Sequence, residues 1–380
     1  MNYRLGITLK KKFTFLYYFA FTLYCFIYWL NTTTFNELSW VNTTTLYVYI
    51  RVFCVVVLFV EVLLAGLSFK QYLVYSILFI IFLISSITSG SWNIFLLFLF
   101  ILAGSKIEVK KLAKIVLFVT LFITSAATIC SILGLINMRT IPSGSSFRLA
   151  YGFIHPNQYG LSVLTMVISV AILRFRKFHF PEISFGLICF SLAYFLVVSR
   201  TASICILITI ILSIVCTADR KKKLDSTILH CGTVLFGFFQ VASLYLMVFY
   251  DSSKQWMSNL DRFLSCRLDL MNHFYKTYPH GIWGHNFDSI ENVWYKYFQG
   301  FIVDNGFAHA VLESGIIVEL IVFVCWFAYL CVACKKKILD PSSFGLIIYG
   351  FVAFTEASSF FIVVNFCLVS LSMLTNNKRG

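Results

Sequence analysis

The amino-acid sequence predicts an all-α, polytopic integral membrane protein, a bundle of about twelve transmembrane helices with one long structured loop on its outer side. Composition is the first observation behind this reading: 59% of the 380 residues are hydrophobic and 12% are charged, where a soluble domain carries about 25% charged residues. The second is the form of the apolar stretches. They are continuous runs and not alternating ten-residue segments, so in lipid the backbone hydrogen bonds must close within helices and not around a barrel. The third is length: a span takes roughly 20 apolar residues and twelve take about 240, which leaves roughly 140 for loops and ends and none for a separate soluble domain. Thirty Lys and Arg against 16 Asp and Glu would raise the question of nucleic acid in a soluble protein. Here the partner is the bilayer, and no nucleic acid is expected.

Taken in order, apolar runs fall at about 13–30, 45–66, 72–88, 91–104, 115–136, 157–173, 183–198, 201–217, 227–249, 305–333, 342–355 and 358–374. The first follows a basic start and is followed by Asn31-Thr-Thr-Thr, with no small-residue cleavage pattern, so it reads as an uncleaved span. Arg51 and Glu61 in the second are about 15 Å apart along a helix, near opposite ends, and each snorkels toward its own interface. The runs at 91–104, 201–217 and 342–355 are short for a full span and are expected to be tilted, paired or partly re-entrant. Glu313 and Glu319 in the tenth run and Glu356 in the last hairpin are intramembrane acids, which are functional candidates by default. The chain thus divides into 1–249, helices one to nine; 250–304, a long extracytoplasmic loop; and 305–380, helices ten to twelve.

Placing both termini in the cytoplasm puts 21 of the 30 Lys and Arg on the inner side and eight outside, with Arg51 within a span; this asymmetry is what the positive-inside rule requires. It also makes the outer arginines the unusual ones. Nearly all of the twelve cysteines lie in or at the ends of apolar runs, so no disulfide framework follows. Cys331-x-x-Cys334 reads as packing, and the Asn31 and Asn42 sequons decide nothing without a host.

Three outer segments carry chemistry. A Gly, Ser and Pro-rich stretch from Asn137 to Gly160 contains Arg148 and then His155-Pro156-Asn157. Pro156 restricts His155 to an extended backbone and suits the first turn of a helix, which collects free N–H groups near Asn157 where an anion fits. Ser199-Arg200-Thr201 sits between two apolar runs with almost no loop, an arginine at the mouth of a hairpin facing either headgroups or a cavity. The loop from Tyr250 to about Asp304 is roughly 55 residues, a length that is usually functional or disordered. Its Trp, Tyr and Phe content and near balance of charge favour a folded cap, with a short helix from Arg267 and then a Pro and Gly-punctuated turn through Pro279, His280, Gly281, Gly284 and His285.

In that order, Arg148 with Tyr151-Gly-Phe-Ile-His-Pro-Asn157, Ser199-Arg-Thr, Arg267 with Pro279-x-Gly-x-x-Gly-x-Asn-Phe287, and Val303-Asp-Asn-Gly-Phe307 before Leu312-Glu-Ser-Gly315 form a pattern that resembles the O-antigen polymerase and O-antigen ligase superfamily, particularly polymerases of bacterial capsule and exopolysaccharide clusters. The resemblance covers about 145–320. It implies a metal-independent membrane glycosyltransferase without cofactor in the bacterial cytoplasmic membrane, with its active face outside. Donor and acceptor would be oligosaccharide repeat units on undecaprenyl diphosphate, and a flippase and a chain-length regulator are the implied protein partners. The family's outer-loop arginines carry over to Arg148, Arg200 and Arg267. Ligases place a His near the end of the long loop where this chain has Asp304-Asn305, which favours polymerase over ligase.

The chemistry can be argued without the resemblance. When a sugar hydroxyl displaces a lipid diphosphate, charge builds on phosphate oxygens, and arginine binds these bidentately while staying charged. No Asp-x-Asp occurs in an outer segment, so a diphosphate-bound divalent metal has no obvious ligands. The expected catalytic residues are Arg148, Arg200, Arg267 and Asp304, the arginines facing one outer cavity and Asp304 serving as base with His280 or His285 as rivals. His155, Asn157, His280 and His285 are the expected substrate-binding residues. A flippase of lipid-linked oligosaccharide is the alternative from another class, although the two halves show no internal repeat of the kind transporters use.

Overall fold

A computed structural model describes all residues except 1, 39–41, 66, 144–145, 265, 279–280, 288–302 and 376–380. Helix makes up 77% of the structure, with almost no sheet. The elements in order are α1 (Asn2–Asn31), α2 (Thr43–Leu63), α3 (Phe69–Ser89), α4 (Asn93–Ala103), α5 (Val109–Ile132), the hairpin β1 (Thr140–Ser143) and β2 (Ser146–Leu149), α6 (Pro156–Leu173), α7 (Phe180–Ser191), α8 (Arg200–Ala218) and α9 (Asp225–Phe249). Then come α10 (Gln255–Phe263), α11 (Arg267–Thr277), α12 (Gly306–Ser314), α13 (Ile316–Lys336) and α14 (Pro341–Ala353). Among the described residues seven helices, α2, α3, α5, α6, α8, α9 and α13, are long and apolar enough to cross a membrane; this is an all-α membrane protein. Three apolar helices, at 93–106, 180–196 and 341–353, are shorter.

Local chemistry sets the helix ends. Ser68 and Gln71 form a capping box at the start of α3, and Gly90 ends it at φ 72°. The Asn42 side chain accepts the Thr45 N–H at the start of α2. Large apolar side chains such as Phe118, Phe122, Val234, Phe238 and Val241 stand exposed on these helices, a surface that only lipid can cover without aggregation.

Two of the expected runs are not single helices. The run at 305–333 breaks at Gly315, whose φ of 88° and ψ of 154° belong to a region open essentially to glycine alone. A Cβ there would lie 2.3 Å from the Ile282 carbonyl oxygen, so the break is the landing point of the 281–284 loop. The run at 358–374 is not an α-helix either: short 3-10 turns at Ala357–Phe360 and Phe366–Thr375 flank an irregular stretch. Asn365 offers that backbone a rival hydrogen bond, its Nδ2 donating to the Ser359 carbonyl at 3.0 Å. Val363, Val364 and Asn365 are completely buried, the condition under which lipid-depth backbone tolerates irregularity.

The chain forms two compact units, each discontinuous in sequence. The first comprises 1–65, 102–225 and 339–348; the second comprises 66–101, 226–338 and 349–380. In the first, α6 is the inner helix: 78% of its apolar window is buried, against 22% for α2, and it packs between α5 and α8. In the second, Met257, Leu268, Met271 and Phe287 form one core with Leu246 of α9 and Leu312 of α12, so the stretch after α9 packs back onto the end of that spanning helix and onto the short α12.

Candidate active site

In the first unit the site begins with the β1–β2 hairpin, where Arg148 pairs with Ile141. Beyond it the chain turns through two left-handed residues, Tyr151 at φ 43° and Gly152 at φ 82°. A Cβ on Gly152 would lie 2.3 Å from the Ala127 carbonyl oxygen, so only glycine lets this turn press on α5. The Gly152 carbonyl accepts the Thr34 N–H at 2.9 Å and Ile154 N–H donates to the Thr32 carbonyl at 3.0 Å, which pins the turn to the end of α1. Nearby, Glu37 binds the Arg139 guanidinium and accepts from Asn137 Nδ2 at 2.6 Å.

His155 is extended at φ −143°, as a residue before proline should be. Its Nδ1 accepts the Asn157 N–H at 3.1 Å, which leaves the ring proton on Nε2, and its carbonyl accepts the Gln158 N–H at 3.0 Å. The N–H groups expected to stand free for an anion at this helix start are therefore capped from within. What Asn157 contributes is its side chain: Oδ1 accepts from Arg148 Nη2 at 2.9 Å. Arg148 Nε donates to the Val197 carbonyl at 3.1 Å. Two neutral acceptors thus fix the plane of the guanidinium.

That second acceptor belongs to an unusual turn. After α7 the chain makes a π-type turn over Leu192–Leu196, and Val198 then sits at φ 54°, a genuine outlier for a β-branched residue. Ser199 is buried, its hydroxyl has no hydrogen-bond partner among the described residues, and a Cβ on Gly160 would lie 2.4 Å from its Oγ. This close approach presses the start of α8 against α6. Arg200, the first residue of α8, is exposed three positions beyond the carbonyl that holds Arg148.

In the second unit Arg267 opens α11. Asp261 caps that helix, its Oδ1 accepting the N–H groups of Leu268 at 2.8 Å and Asp269 at 3.2 Å. The Arg267 Nε lies 2.9 Å from Asp304 Oδ2, Nη2 lies 3.9 Å from Glu356 Oε1, and Nη1 donates to the Thr355 carbonyl at 2.6 Å. Arg267 is thus paired with acid groups, and Arg148 bonds a side-chain amide and a backbone carbonyl. Asn305, beside Asp304, caps α12 by accepting the Ala308 N–H at 3.0 Å and donates to the Phe354 carbonyl at 3.0 Å, which keeps Asp304 and the 354–356 stretch together.

Of the remaining expected residues, His285 donates its N–H to the Glu313 carbonyl at 3.1 Å and sets its ring edge-on to Phe287. His280 lies outside the described residues. Arg148, His155 and Asn157 are brought together in one unit, with Arg200 close by in sequence to their shared turn, and Arg267 with Asp304 in the other. Sequence reasoning flagged Glu356 as an intramembrane acid without its arginine partner. It missed the His309–Glu313 pair, whose Nε2 and Oε2 are 3.4 Å apart, although the i, i+4 spacing was there to be read. Among the described residues no three His, Cys, Asp or Glu side chains converge as a metal's ligands. No family model, curated protein or solved structure matches the chain.

Proposed function

We propose that this protein is a polysaccharide polymerase that joins undecaprenyl-diphosphate-linked oligosaccharide repeat units at the outer face of a bacterial cytoplasmic membrane, with about twelve spans and both termini inside. The observation that carries the reading is the fixed Arg148 guanidinium beside the turn that leads into Arg200. In the proposed reaction an acceptor sugar hydroxyl attacks the anomeric carbon of the donor, its C–O bond to the lipid diphosphate breaks, and the diphosphate leaves with the bonding pair. Arg148 and Arg200 neutralise the charge gathering on the phosphate oxygens. The hydroxyl proton passes to a carboxylate acting as general base.

The test is to size lipid-linked glycans in a strain that carries the synthesis pathway, comparing the wild-type chain with its deletion, Arg148→Ala and Arg200→Ala at matched membrane levels. Single repeat units accumulating on the outer leaflet are the expected result. Single units accumulating on the cytoplasmic leaflet would replace this reading with the transporter, and free polymer of normal length that fails only to reach a final acceptor would replace it with the ligase.

A further inference from the structure

The second unit holds a cleft of about 550 Å³ between the last turn of α9 and α11, a volume suited to a small ligand. Tyr245 and Phe249 of α9, Asp251 and Lys254 just after it, and Asp269 and Lys276 of α11 are among its lining residues. Tyr245 and Phe249 are 47% and 58% exposed, their rings 5.1 Å apart, at the end of a helix apolar enough to cross a membrane. Aromatic side chains at such an end lie at headgroup level. Tyr245 and Phe249 thus set this edge of the cleft at the level where phospholipid headgroups are the most concentrated solute.

Its charges select among them. Asp251 Oδ1 accepts from the Ser253 hydroxyl at 2.7 Å and N–H at 3.0 Å, which hold its carboxyl below the ordinary value, and Lys254 and Lys276 act on it in the same direction. Two ammonium groups and two carboxylates thus face one space. An anionic headgroup would meet the like charge of Asp251 and Asp269 with no group of its own to offset it. A phosphate would sit on the lysines, and a neighbouring primary ammonium could donate to the carboxylates, which a trimethylated one lacks the N–H groups to do.

We infer that this cleft binds the headgroup of a zwitterionic phospholipid with a primary amine, that is, a phosphoethanolamine headgroup. The inference is independent of the proposed reaction. It is tested by native mass spectrometry of the full chain in detergent offered an equimolar mixture of phosphatidylethanolamine, phosphatidylcholine and phosphatidylglycerol with identical acyl chains. The wild type is expected to retain phosphatidylethanolamine about threefold over phosphatidylcholine, the scale of an exposed ion pair. Asp251→Asn with Asp269→Asn should abolish that preference, and Lys254→Ala with Lys276→Ala should lower phosphatidylethanolamine retention by a similar factor, with unchanged thermal unfolding in both. Equal retention of the two zwitterionic lipids, a preference for phosphatidylglycerol, or a preference that survives the aspartate changes would overturn it.

Discussion

Arg148 differs from an ordinary surface arginine because two bonds, to Asn157 Oδ1 and the Val197 carbonyl, hold its plane. A lysine at this position keeps the charge but has neither the fork nor the fixed plane. Polymer yield per unit time from Arg148→Lys is therefore expected to fall with that of Arg148→Ala, each by about 10²-fold or more if the guanidinium stabilises the departing diphosphate. Near-wild-type yield from the lysine variant would show that charge alone suffices. Two backbone positions make opposite stability predictions. Gly152→Ala combines a φ of 82° with a Cβ 2.3 Å from the Ala127 oxygen, so it should destabilise the protein by more than the roughly 1–2 kcal/mol that the left-handed conformation alone costs an L-residue, read as a lower midpoint of thermal unfolding in detergent. Val198→Gly relieves such a cost at φ 54°. The glycine gives back about 0.4–1 kcal/mol through the unfolded chain, so the net effect should be a small stabilisation, unless the Val198 side chain packs more tightly than its 42% exposure implies.

At the scale of elements, α11 depends on a residue outside it. Asp261 takes two of its orphan N–H groups and accepts from the Tyr250 hydroxyl at 3.2 Å, so Asp261→Ala should cost about 1–2 kcal/mol and release the start of the helix that carries Arg267. Burial and the neighbouring Asp261 carboxylate push the Tyr250 phenol up to about 12. A raised phenol stabilises the fold fully below its unfolded value of about 10 and loses that contribution as pH climbs toward 12. Stability followed by near-UV circular dichroism should therefore fall between about pH 10 and 12 in the wild type, and Tyr250→Phe is expected to flatten that limb; an unchanged limb in Tyr250→Phe would assign it to another group. Much of this level was legible in the sequence. Apolar runs marked where the long helices lie, and Pro156 marked the start of α6, because both signals are local. The break at Gly315 was not legible, since it arises from the 281–284 loop pressing on it across some thirty residues. Nor was the irregular stretch after Glu356, where hydropathy reads the same for a helix and for buried non-helical chain. At the site, the types of residue could be chosen in advance, but the acceptors that hold Arg148 could not: one is a backbone carbonyl, which carries no signature in sequence.

For the whole molecule, the separation of basic and mixed-charge loops predicts which side of the membrane each faces. None of the twelve cysteines stands in a disulfide, so a cysteine-free background is a reasonable starting point for labelling. A cysteine placed at Ser252 should react with a membrane-impermeant maleimide in intact cells, and one placed at Lys221 only after permeabilisation. Reaction of both from outside would overturn the assigned orientation. The interleaving of the two units carries a consequence for biogenesis. The first unit takes its last segment from 339–348 and the second from 349–380, so neither is complete until that region of the chain has been made. A ribosome that stalls before residue 339 therefore leaves two incomplete units and no finished one.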